Sequence, residues 1–250
     1  MNDIITSKLK EIEEKENIKI LHCVESGSRA WGFASPDSDY DVRFIYLRPK
    51  EFYLRLEKTR DVIEWQLDDT LDINGWDIRK ALTLLYSSNP TLFEWDASPI
   101  VYQTTDEWAR ISEVVHRYFV PQSGLYHYLN TAKRNYTASF KGETVRFKKY
   151  FYVLRPLLAC EWILAEGTPP PIVFRKLTER FPNKEIAEDV EKLLHIKMNT
   201  PEIGEGKRFE RIDAYIEQSF VDIEEKIKHL PTAHGNGWHD LNALFLSLIE

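Results

Sequence analysis

Two aspartates one residue apart, Asp39 and Asp41, follow the pair Gly27-Ser28 after ten intervening residues. On a β-strand, side chains alternate between faces, so Asp39, Asp41 and Arg43 would share one side. Carboxylates held a few ångströms apart repel one another unless a cation lies between them. Magnesium suits that place, because it takes carboxylate and phosphate oxygens, keeps several waters, and is usually held by one or two protein carboxylates plus the substrate. The Gly-Ser pair offers what a triphosphate needs: backbone N–H groups, a hydroxyl and room for close approach. Each half by itself is common, since Asp-x-Asp is often a solvated turn and Gly-Ser a plain turn. Their adjacency places the two halves of a nucleoside triphosphate site side by side in the sequence.

The flanking segments are of the kind that could position such a site. Ile4 to Lys15 carries apolar residues at Ile4, Ile5, Leu9 and Ile12, the spacing of an amphipathic helix. Ile18 to Val24 reads as a buried strand stopped by Ser26-Gly27-Ser28, and Ser35-Pro36-Asp37-Ser38 is a turn. Asp39 to Leu47 reads as the next strand. Val62–Gln66 and Thr70–Ile73 follow as two short strands with hairpin spacing, and Asn74-Gly75-Trp76-Asp77 is expected to open a helix reaching about Ser87. Pro90 to Tyr102 is short and mixed. From Trp108 the pattern is helical, interrupted at Pro121, Pro169 to Pro171, Pro182, Pro201 and Pro231. The expected class is therefore α+β: a small mixed sheet with flanking helices over residues 1–106, then an all-helical domain over 107–250.

Composition bounds the partners. The 250 residues are 43% hydrophobic and 29% charged, enough to bury a core. No apolar run approaches the roughly 18 to 20 residues that span a bilayer, and Met1 to Lys15 is a charged helical pattern rather than a signal sequence, so a cytoplasmic protein is expected. Two cysteines, Cys23 and Cys160, exclude a disulfide framework or a cysteine zinc site. The net charge of -7 argues against binding nucleic acid over the whole surface and leaves a local basic groove open.

The string GSRAWGFASPDSDYDVRFIY resembles the signature of the polymerase-beta-type nucleotidyltransferase superfamily, with its Arg after Gly-Ser and its Ser-Asp before the second carboxylate. Leu71 to Tyr102 and Lys148 to Leu158 are similar to one branch, the RNA-ligase-associated polymerase-like nucleotidyltransferases of RNA repair; Asp96 departs from the apolar residue expected after Glu94-Trp95. The resemblance implies that Gly27, Ser28, Arg29 and Ser38 contact the nucleotide. It also implies that Asp39, Asp41 and a third carboxylate hold two Mg²⁺ ions, with Mn²⁺ as a substitute, across an in-line displacement. The third carboxylate is Asp72 or Asp77; Asp72 is preferred because Asp77 reads as a helix cap.

The later helix can be read from its own spacing. Phe147, Phe151, Leu154, Leu158 and Trp162 form one apolar stripe, bordered by Lys148, Tyr152 and Arg155. Lys148 and Arg155 are expected either to reach an interdomain cleft and neutralise triphosphate charge or to snorkel to water. Lys133 and Arg134 with Tyr126, Tyr128 and Tyr136 would suit RNA, although a packed aromatic face is the simpler reading. Trp31 and Trp65 are read as aromatic core before base-stacking platforms. His22 is read as a core histidine, and His234, His239 and Asp240 around Gly235-Asn236-Gly237 as a turn before a last helix. The substrate is thus an NTP and the acceptor a hydroxyl, with an RNA 3′ end the foremost case. The alternatives are a protein or small-molecule acceptor such as an aminoglycoside, and an inactive nucleotide-binding module.

Overall fold

Ile5, Leu9 and Ile12 line the buried side of helix α1 (Asn2–Glu16), which stops where Asn17 turns left-handed and its N–H caps Glu13. The chain continues as β1 (Lys19–Glu25), α2 (Gly27–Ala30), β2 (Tyr40–Leu47), α3 (Lys50–Tyr53), β3 (Val62–Leu67), β4 (Leu71–Asp77), α4 (Ile78–Tyr86), α5 (Pro90–Asp96), β5 (Val101–Thr104) and α6 (Asp106–Val115). Then come α7 (Pro121–Ser139), β6 (Thr144–Arg146), α8 (Phe147–Glu166), α9 (Phe174–Thr178), α10 (Lys184–Asn199), β7 (Glu205–Lys207), α11 (Glu210–Lys228) and α12 (His239–Ile249). This computed structural model describes every residue except Asp69, Arg180, Pro182, Asn183, Glu202, Ile203 and 231–235. The expected breaks at Pro182 and Pro231, and the expected turn at His234 and Gly235, lie outside the described residues.

Two compact units result, one of Met1–Ala30, Asp39–Phe119 and Gly235–Glu250, the other of Trp31–Ser38 and Val120–His234. The division falls at Phe119 rather than 106, because Trp108, Ile111 and Val115 of α6 pack into the core of the sheet unit. Leu241 of α12 returns to the same core.

In the first unit the sheet order is β3-β4-β2-β1-β5, with β2 and β4 parallel and the other pairs antiparallel. One face packs Cys23, Val42, Phe44, Tyr46 and Ile73 against Ile5, Leu9 and Ile12 of α1. The other packs Leu21, Val24 and Ile45 against helical residues including Ile78, Leu92, Trp95 and Ile111. Each such side chain contributes about 1.5–3 kcal/mol on burial, so the two layers fix the sheet from both sides.

The helix expected from Asn74 begins four residues later. Gly75 and Trp76 pair with Phe44 and Ile45 in the parallel ladder, and a Cβ at Gly75 would lie 2.2 Å from the Phe44 ring. Asp77 then caps α4, its Oδ1 accepting the Arg79 N–H at 2.8 Å. The mixed stretch after Pro90 resolves into α5, capped by Asn89, and strand β5. Asp96, the departure from the family pattern, accepts the Trp108 indole N–H at 3.1 Å, which gives a polar residue a reason to stand there.

The second unit is built on α8, which is buried over most of its circumference from Tyr150 to Ile163 instead of along one stripe. Residues of α7, α9, α10 and α11 surround it, among them Leu125, Phe174, Leu193 and Ile216. Pro121 opens α7 at its first turn, where a missing N–H costs nothing. A two-stranded ribbon pairs β6 with β7. Among the described residues no helix is long and apolar enough to cross a membrane.

Candidate active site

Strand β1 ends in a buried acid. Glu25 is 1% exposed; its Oε1 accepts the Asp41 N–H at 2.8 Å, and the Tyr102 hydroxyl donates to its Oε2. Burial pushes its carboxyl above the usual range. One residue later the Ser26 N–H donates to the Asp41 carbonyl at 2.8 Å. These bonds stitch the Gly-Ser turn to β2 at Asp41. Gly27 has φ +59°, and a Cβ there would lie 1.9 Å from Asp41 Oδ2, so only glycine lets that carboxylate lie against the turn. Ser28 follows, buried within α2. Arg29 folds back, donating from Nε to the Asp39 carbonyl at 2.8 Å while its guanidinium stacks 3.7 Å from the Tyr40 ring centre.

Asp41 and Asp72 stand opposite each other in the parallel β2–β4 register. Arg43, two residues on and therefore on the same face, joins them: its Nη2 donates to Asp41 Oδ1 at 2.7 Å and to Asp72 Oδ2 at 2.5 Å. Its Nη1 also donates to the Asp72 carbonyl at 2.7 Å. The carboxylate side chains are 24% and 22% exposed, so the pair is open to solvent while the guanidinium offsets its repulsion. Further along the same face the residues are Ile45 and Trp76, under the helical layer.

Asp39 precedes β2 and does not join this pair. Its carboxylate makes no hydrogen bond or ion pair among the described residues, and no group of three His, Cys, Asp or Glu side chains among them is placed to hold a metal ion. The expected three-carboxylate cluster is thus not gathered: strand geometry starts at Tyr40, and Arg43 holds the other two acids facing each other. Asp41 and Asp72 fit a hard divalent cation by their donor chemistry, as two adjacent partly exposed carboxylates already drawn to a positive group.

Asp77 sits at the far end of β4, 2% exposed, capping α4 and receiving the Tyr53 hydroxyl at 3.0 Å. Burial pushes its carboxyl up as well. It is Asp72, and not Asp77, that lies beside Asp41.

Ser38, Lys148 and Arg155 all belong to the second unit. The Ser38 hydroxyl is buried against Ser35 Oγ at 2.9 Å. Arg155, expected at a helix edge, is 4% exposed with its guanidinium 4.6 Å from the Trp31 ring centre. Lys148 is half-buried in the first turn of α8. Trp31 is half-buried and meets Phe33 tilted and Tyr152 edge-on, at the margin of an aromatic cluster and not in the core expected for it. The basic and aromatic set on α7 is largely committed: Lys133 pairs with Glu224, the Tyr136 hydroxyl donates to Glu217 at 2.6 Å, and Tyr128 is buried. His22 stacks on Trp108 at 4.6 Å and burial lowers its pKa, as for a core histidine. His239 and Asp240 open α12.

Sequence reasoning gave no role to Glu25, Tyr102 or Arg43. A glutamate ending an otherwise apolar strand was the available signal for the first; nothing local marks Tyr102, whose partner is 77 residues away.

The family model described as the RNA repair pathway DNA polymerase beta family matches residues 1–247. The chain is 44% identical over 254 residues to the uncharacterized protein YcgL of Bacillus subtilis (strain 168), covering 100% of this chain and 97% of that protein. A nucleotidyltransferase-like protein from Exiguobacterium sibiricum 255-15 aligns in structure with 11% identity and a TM-score of 0.32, covering 90% of this chain and 74% of that one. The match over nearly the whole chain, together with the Gly27–Asp41 signature, means that this protein belongs to the RNA repair pathway DNA polymerase beta family of nucleotidyltransferases.

Proposed function

We propose that the protein transfers a nucleoside monophosphate from an NTP to an acceptor hydroxyl, in a metal-dependent reaction whose acceptor is an RNA 3′ end. The observation that carries this reading is the alignment of Asp41 with Asp72 on parallel neighbouring strands beside the Gly27 turn. The RNA repair description of the family supports the choice of an RNA acceptor.

In the reaction the acceptor oxygen attacks the α-phosphorus, the bond to the bridging oxygen of the β-phosphate breaks, and pyrophosphate leaves in line. Asp72 takes up the proton of the acceptor hydroxyl. Gly27 and Ser28 hold the phosphates, and Arg29 steadies the backbone at Asp39. Asp39, Asp41 and Asp72 would hold Mg²⁺, or Mn²⁺ in its place, which when bound neutralises charge on the attacking and leaving oxygens. Asp39 would have to join the pair on binding, and its uncommitted carboxylate leaves it free to do so.

Incubating the protein with each α-³²P-NTP and Mg²⁺, with total RNA or with protein, tests reaction and acceptor together. Label appearing on RNA supports the reading. Label on protein alone would move the acceptor to a protein hydroxyl, which the net charge of -7 favours. A thermal shift with NTP and Mg²⁺ but no label on any acceptor would replace the enzyme with a nucleotide-binding module.

A further inference from the structure

The ten residues between Ser28 and Asp39 are built largely into the helical unit. Trp31 lies over Arg155, the Trp31 carbonyl accepts the Phe174 N–H at 2.9 Å, and Phe33 packs on Phe151 and Phe174 at 4.8 and 5.5 Å. At its end the segment makes a tight turn, Ser38 N–H to Ser35 carbonyl at 3.1 Å, whose two serine hydroxyls point inward, 3% and 5% exposed. Under them lies Lys197 of α10, itself 3% exposed, its Nζ donating to Ser35 Oγ at 3.0 Å and to Ser38 Oγ at 3.5 Å. The Phe33 ring centre is 5.8 Å from the same ammonium.

A lysine is rarely this buried, and an ammonium kept out of water is favourable only where donors meet fixed acceptors. A hydrophobic side chain of similar volume would often fold as well or better, so a buried charge is poor evidence for stability and better evidence for a demand on geometry. Here the geometry concerned is the turn that hands the chain to Asp39.

We propose that Lys197 is a positioning residue for the transfer reaction: by clamping the Ser35–Ser38 turn it fixes the backbone from which Asp39 projects. This rests on the function proposed above. Displacing a catalytic carboxylate by about 1 Å costs on the order of a hundredfold in rate, so loss of the clamp should appear in kcat.

The test uses the full chain with Lys197→Met, Ser35→Ala and the double variant. Melting temperature, amide hydrogen exchange over residues 31–41, and kcat and KM for NTP are followed. The proposal expects Lys197→Met to keep the wild-type melting temperature, to exchange faster over 35–39, and to lose at least tenfold in kcat with KM within about twofold. Ser35→Ala should lose less, and the double variant no more than Lys197→Met, because both act through one clamp. Unchanged exchange over 35–39 overturns the proposal whether or not the protein is a transferase. Additive losses, or a fall in kcat that only follows a fall in melting temperature, overturn it too. If the wild-type chain transfers nothing while Lys197→Met still loosens the turn, the clamp stands and the transferase reading fails.

Discussion

Strand β4 carries an aspartate at each end, and the two live in opposite conditions. Asp72 is partly exposed, faces Asp41 across a parallel ladder and shares Arg43 with it. Asp77, five residues on and so on the other face, is buried, caps a helix and is bonded by Tyr53. The same residue type thus stands where we propose chemistry at one end and caps a helix at the other. Exposure and neighbouring charge, not residue identity, separate the two roles.

The largest effect that would break this comparison is on turnover. Asp41→Asn and Asp72→Asn should each lower transfer by about 10³-fold or more while melting like the wild type, because each removes several kcal/mol of charge stabilisation at the reacting oxygens. Asp77→Asn should transfer normally per folded molecule, and the reverse pattern would exchange the roles of the two ends. Gly27→Ala should come next. Its Cβ cannot share space with Asp41 Oδ2, so transfer should fall on the order of a hundredfold, read by the same labelling assay.

Between the two ends, Gly75→Ala should lower stability by about 1–3 kcal/mol in urea unfolding, since its Cβ would meet the Phe44 ring. Asp77→Ala should lower it by about 1 kcal/mol through the lost cap.

The smallest effect is in pH. The Asp77 carboxyl is raised in the folded chain from its ordinary 3.8, chiefly by burial. The folded state therefore binds more proton than the unfolded state across that window. The associated stability is present below about pH 3.8 and is lost as pH rises through the raised value. Asp77→Asn lacks this loss, so its stability relative to wild type should improve on going from pH 3.5 toward neutrality. A flat difference would mean that Asp77 titrates as an exposed acid.

Much of this was legible in the residues. Helix α1, strands β1 and β2 and the Gly-Ser turn follow from short-range periodicity and turn chemistry, which act over a few residues. Asp77 was readable as a cap for the same reason. The end of β4 was not, because Asn74-Gly75-Trp76 carries weak strand propensity and is held extended by pairing with β2 and β3. Arg155 was misplaced because a helix buried on most sides shows no edge in its pattern.

The sequence by itself determined the local parts: an amphipathic helix, two strands joined through a glycine turn, a capping aspartate, and a signature similar to that of a family of nucleotidyltransferases. Only the tertiary structure decided which acids meet, that Arg43 bridges them, that Glu25 braces Asp41 from below, and that Lys197 holds a turn 159 residues away in the chain. The physical reason is that pairing between distant strands and burial of distant charges depend on the packed core, whose contacts leave no periodic trace along the chain.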